Sequence, residues 1–116
     1  MAKEATAPAT ANSSPRQVIT IHVSDQGDIQ KVDPDPFVIS KEAQEEVQWV
    51  IDKAKHSFTV EFARETGSPF YESQFNSQFS ASGLVRREIL PDPRRYYKYT
   101  VRTERDDKDP GGYIKS

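Results

Sequence analysis

Three groupings of side chains in this sequence could do chemistry, and each is incomplete. His22 and His56 are its two imidazoles. Imidazole is a common ligand for copper, zinc and nickel, and Asp52, Glu61 or a partner chain could add donors to His56. The plainer account of His56 is a turn-end histidine hydrogen-bonded to backbone. The second grouping is RREILPDPRRYYK, where Arg86, Arg87, Arg94 and Arg95 stand beside Tyr96 and Tyr97. Guanidinium and phenol together can grip a phosphate while a ring stacks on a base. Glu88, Asp92 and the acidic residues within 104–109 are close enough in sequence to neutralise that charge, which favours a salt-bridged face. The third grouping is the carboxylate pairs Glu45–Glu46 and Asp106–Asp107. Neighbours on a strand point to opposite faces, and the calcium-loop pattern is absent, so neither acid–base work nor a calcium site follows.

Nucleophiles are no better supported. The serines lack a G-x-S-x-G context. The chain has no cysteine, which removes disulfides, thiolate zinc sites, iron–sulfur clusters and a thiol nucleophile. The expected reading is not an enzyme.

The elements that must carry these groups read as strands. At 116 residues the chain is one domain in size, since a unit with its own core is usually roughly 100–150 residues. Apolar residues are 34% and charged residues 29%, a balance that suits a thin two-layer structure. The core then rests on six Phe, five Tyr and one Trp, the side chains that bury most area each. Residues 1–16, rich in Ala, Thr, Ser and Pro, read as a flexible tail before a single domain at 17–116. QVITIHV at 17–23 is the first strand, with Ile19, Ile21 and Val23 on one face. Asp25, Gly27 and Asp28 supply a turn, and DPDP at 33–36 an extended segment that excludes a helix. Phe37–Ser40 follows as a strand and Lys41–Glu46 as a loop or one helical turn.

Val47, Trp49 and Ile51 alternate, and after residues 52–55 so do His56, Phe58, Val60 and Phe62. These are two strands joined as a hairpin or as a corner between sheets. Residues 64–83 read as a long loop pinned by Phe70, Phe75 and Phe79, with a strand around Gln74–Ser80. Leu84–Leu90 is a weak strand, 91–93 a turn, Tyr97–Tyr99–Val101 a clean alternation, and Tyr113–Ile114 the last strand. Seven or eight short strands suggest an all-β antiparallel sandwich or barrel. Trp49, Phe58, Val60, Phe62, Tyr97 and Tyr99 could line an apolar pocket, but alternate aromatics on facing strands are first of all core.

V-x-W at 47–49, H-S-F-x-V at 56–60, the SPF loop at 68–70, Y-x-Y-x-V at 97–101 and DPGGYI at 109–114 stand in the order found in cupredoxins. Over about residues 18–115 the chain therefore resembles that family, which implies an antiparallel Greek-key β-sandwich. The resemblance puts His56 at the first copper-ligand position and Val101 at the cysteine position, and RTERDDKDPGGYIKS beyond it has neither histidine nor methionine. Type 1 copper needs a thiolate with two imidazoles. The resemblance thus implies a copper-free relative without electron transfer, with no cofactor. Its recognition surface would be the sandwich end where His56, Ser68–Phe70 and Arg102–Asp109 should converge.

The expected function is a non-enzymatic binding or scaffold module whose partner is unknown, a protein being one candidate. The alternatives are weak divalent metal binding through His56, and anion or nucleic-acid binding through Arg86, Arg87, Arg94, Arg95 and Tyr96. A net charge of −2 disfavours a nucleic-acid or acidic-membrane partner. The N-terminus shows no apolar signal region, and no stretch approaches the ~20 residues that span a bilayer. As written the chain reads as cytoplasmic, with a periplasmic or secreted location open if a leader was removed.

Overall fold

Alternation of apolar and polar residues dominates the chain, and the computed structural model, which describes residues 16–78 and 83–116, is correspondingly built of strands and turns without a helix. In chain order the strands are β1 (Arg16–Val23), β2 (Ile29–Asp33), β3 (Phe37–Ser40), β4 (Glu46–Ile51) and β5 (Thr59–Phe62), then β6 (Gln74–Asn76), β7 (Gly83–Leu84), β8 (Asp92–Arg102), β9 (Asp107–Lys108) and β10 (Gly111–Lys115). One sheet runs β2-β1-β4-β7; the other runs β3-β10-β8-β5-β6, with β9 on β8.

The expectation of an all-β fold holds, but its antiparallel form does not. Both sheets are mixed, because β1 pairs parallel with β4 and β3 parallel with β10. The physical reason lies in the crossover. Parallel neighbours need a long connection, and between β1 and β4 the chain makes one by reversing into β2, passing to the other sheet as β3 and returning. Strand number also exceeds the expected seven or eight. The additional elements are an edge strand, β2, whose single fully buried apolar residue is Ile29, and the two-residue strands β7 and β9.

Other boundaries move by a few residues. β4 and β5 belong to different sheets, so 52–58 is a corner rather than a hairpin. The segment after Leu84 contributes one bridge, Val85 to Phe70, and then turns. Asp92–Pro93, expected as a turn, already begins the 11-residue β8. Residues 1–15 of the expected tail, and Phe79 and Ser80 of the expected strand, lie outside the described residues.

The core sits between the sheets. Ile19, Ile21, Val23, Val47 and Trp49 from one face meet Phe37, Ile39, Val60, Phe62, Tyr97, Tyr99, Val101 and Ile114 from the other. Trp49 is its centre, with the rings of Phe75, Tyr99, Phe62, Phe70 and Phe37 at 4.6, 5.3, 6.1, 6.3 and 6.5 Å. The six aromatic and aliphatic residues that could have lined a pocket are thus packed into this core. Gly111 and Gly112 serve the two faces of β10. A Cβ on Gly112 would lie 2.3 Å from the Phe37 ring inside, and one on Gly111 would lie 2.2 Å from Tyr96 Cζ outside. The paired glycines let one aromatic ring rest on the backbone from each side, a close approach that no other residue permits.

Candidate functional site

The ends of the two sheets carry the chemistry, and they are built differently. At one end β1, β4 and β8 finish in loops that bond to one another. The loop after β1 closes on itself, with Ser24 N donating to Asp28 O at 2.9 Å and Gly27 N to Ser24 O at 3.0 Å. Gly27, at φ 96°, takes the left-handed backbone that glycine tolerates. Thr103, buried after β8, donates its hydroxyl to Gly27 O at 2.6 Å and accepts from Arg105 N and Asp106 N at 3.2 and 3.1 Å. Asp106 Oδ2 accepts from Ile29 N at 2.9 Å, so the β8–β9 turn is bonded to both the β1–β2 loop and β2.

Both histidines lie at this end. His56, at the corner after β4, donates Nε2 to Asp25 O at 2.8 Å, and its Nδ1 meets the Glu104 carboxylate. Each partner is an acceptor, so only a doubly protonated ring satisfies both. The Glu104 carboxylate accordingly raises the His56 pKa, helped by the Asp25 carbonyl. Glu104 is held below the usual carboxylate range by its own backbone N–H and by His56. His22, on β1, pairs through Nδ1 with Asp52 Oδ2 at 3.2 Å, while Asp52 Oδ1 accepts from Val23 N at 3.1 Å. Burial pushes the Asp52 pKa up, but the Val23 N–H, Lys53 and His22 outweigh it and the pKa is lowered.

These contacts decide what His56 can hold. In this arrangement the ring has no free lone pair for a metal. Asp52 is turned to His22, and Glu61 accepts from Gln74 at 3.3 Å. Among the described residues no three His, Asp or Glu side chains are grouped to hold an ion. Val101 is fully buried and pairs with Val60, four residues from His56 along the chain. The end that was to unite His56, Ser68–Phe70 and Arg102–Asp109 unites His56 with Glu104 but not with Ser68–Phe70. Phe70 bridges Val85, next to the Leu84 that pairs with Glu46 at the start of β4, so that loop belongs to the far end.

The five residues of the basic segment fall into separate settings. Arg86 pairs with Glu88 at 3.2 Å. Arg94 pairs with Asp92 at 3.4 Å, and its backbone N–H is the main cause of the lowered Asp92 pKa. Arg95 donates to Thr66 O at 3.2 Å and stands 5.0 Å over the buried Tyr97 ring. Tyr96 packs on Tyr113 at 5.4 Å on the outer face of β8 and β10, where burial raises its pKa. Arg87 is the exception, since it has no ion pair among the described residues and faces a cleft.

That cleft, of about 330 Å³, occupies the far end, and its lining includes Lys41, Glu45, Tyr71, Leu84, Val85 and Arg87. The turn after β3 forms one wall, with Gln44 N donating to Lys41 O at 3.0 Å and Glu45 N to Ser40 O at 3.1 Å. Lys41 Nζ donates to the carbonyls of Arg87, at 2.7 Å, and Ile89. Those bonds use two of the ammonium's three donors, and neither partner carries charge. Glu45, the acid in the same lining, is hydrogen-bonded by Ser40 N at 2.6 Å and by Gln17 Nε2 at 2.8 Å. The opposite wall is apolar and open, with Tyr71 60% and Leu84 41% exposed. The Tyr71 hydroxyl accepts from Arg87 N at 3.1 Å, which sets the ring beside the arginine.

Of the cleft residues, sequence reasoning singled out Arg87, and Glu45 only as one of a carboxylate pair. One signal for the others was present. Phe70–Tyr71 is an adjacent aromatic pair in an extended loop, and if one ring enters the core the next must face out.

Comparison with protein-family models, with curated proteins and with solved structures finds no match to this chain. Among the described residues no helix is long and apolar enough to cross a membrane.

Proposed function

We propose that the chain is a non-enzymatic binding module, a cupredoxin-like Greek-key sandwich without type 1 copper, that recognises a protein partner at the Tyr71–Arg87 cleft. Two features support the cupredoxin-like part: the V-x-W strand β4 and the Y-x-Y-x-V strand β8 lie in facing sheets, and Trp49 and Tyr99 meet in the core at 5.3 Å. The observation that carries the binding role is the cleft itself. It combines an exposed tyrosine and leucine with two cations that form no ion pair among the described residues. Exposed apolar groups ringed by convergent polar ones mark recognition surfaces.

The experiment is an NMR titration of ¹⁵N-labelled protein with a neutral apolar probe, N-acetyl-phenylalaninamide. Shifts should concentrate at the Tyr71, Leu84 and Val85 amides and weaken in Leu84→Asn. Shifts spread evenly over both sheets, or none, would remove the reading.

A further inference from the structure

The cleft's chemistry narrows what it takes. Resting on the binding role just proposed, we infer that it receives the C-terminal residue of a protein partner, an apolar side chain followed by a free carboxylate. The first support is charge. Lys41 Nζ is fixed by the Arg87 and Ile89 carbonyls and, among the described residues, keeps one donor for a ligand, while Glu45, in the same lining, is held by Ser40 N and Gln17 and pairs with neither cation. A positioned ammonium with a spare donor forms a charge-assisted bond to a carboxylate, and the Arg87 fork can add a bidentate one.

The second support is size and wall chemistry. About 330 Å³ is near the lower limit of ligand sites, which run roughly 300–1,000 Å³. It suits one terminal residue better than a segment running through. Leu84, Val85 and the Tyr71 ring supply the apolar wall for that residue's side chain. A second cleft, of about 420 Å³, includes Lys31, Asp35, Lys108 and Asp109 in its lining. Whereas Lys41, Arg87 and Glu45 leave the first cleft one net positive charge, the two lysines and two aspartates of the second cancel. The second therefore selects no one ligand chemistry.

Three probes test the inference by NMR titration: acetyl-Gly-Gly-Ala-Phe with a free carboxylate, the same peptide amidated, and phenylacetate. The free acid should bind about tenfold tighter than the amide, as expected for a charge-assisted bond, and the advantage should shrink as salt rises. Lys41→Met should erase the advantage of the free acid over the amide. Arg87→Gln, which leaves the Lys41 anchor in place, should reduce it several-fold and keeps the test decisive if Lys41→Met folds poorly. Equal binding of acid and amide overturns the carboxylate inference while leaving the cleft reading intact. Phenylacetate binding as tightly as the free-acid peptide overturns the chain-terminus assignment. No cleft shifts from any probe overturns both.

Discussion

The two ends of the sandwich share a scaffold and differ in how their polar groups are answered. At the histidine end each loop meets a neighbour: Thr103 bonds Gly27, Asp106 bonds Ile29, His56 bonds Asp25 and Glu104, and His22 bonds Asp52. At the cleft end Lys41 and Arg87 have no acidic partner among the described residues, and Tyr71 and Leu84 face solvent. A loop cluster that satisfies itself stabilises the fold and has little left for a ligand. One that leaves charge and apolar surface unmatched spends stability on recognition. His56 therefore sits in the structural end, and the proposed recognition surface lies opposite.

This contrast can be broken in several ways. Thr103→Val should have the strongest effect, because it keeps shape but strands a buried carbonyl and two N–H groups. A loss of about 2 kcal/mol is expected from such unsatisfied groups, read as a lower urea midpoint with an unchanged slope. A loss under half that would mean the histidine end is not interlocked.

The pH response comes next. The folded His56 pKa is raised above 6.5, so its contribution is complete below the unfolded value and is lost as pH rises through the folded one. The folded Glu104 pKa is lowered from 4.5, so its contribution is present above that value and is lost as pH falls through the folded one. Thermal midpoints should therefore peak between the two and decline on the alkaline side of 6.5. His56→Gln should flatten that decline, and an unaltered alkaline slope would argue against the pairing.

Smaller effects belong to the other end. Tyr71→Ala and Leu84→Asn should each change stability by no more than about 0.5 kcal/mol, the usual range for exposed positions, while weakening probe binding. A loss of 2 kcal/mol or more from either would make the cleft structural. The least response is expected from copper. Cu(II) at a few equivalents and neutral pH should leave the His56 ring signals in place, because both nitrogens are engaged. Selective broadening of those signals would restore the metal reading.

Much of the fold was legible in local pattern. Ile19–Ile21–Val23, Val47–Trp49 and Tyr97–Tyr99–Val101 alternate because one face of each strand is buried, and all eight residues lie in the core. β2 escaped notice because an edge strand with Ile29 fully buried and Val32 half-buried lacks that alternation. Strand-like spacing also gave no warning of the parallel pairs. Alternation marks which face is buried and is silent on which neighbour lies beside it. The site was less legible. Arg87 was singled out as part of a run of arginines, yet its partner in the cleft, Lys41, is 46 residues away in sequence and was read as part of a loop.

The sequence by itself determined that this protein is all-β, aromatic-cored and without thiol chemistry, because period-two patterning and composition act residue by residue. Tertiary structure decided which strands run parallel, which loops share an end, that His56 faces a carboxylate and that Lys41 stands beside Arg87. Those outcomes depend on contacts between residues tens of positions apart, whose geometry is set when the two sheets close on Trp49 and not by any local run of the chain.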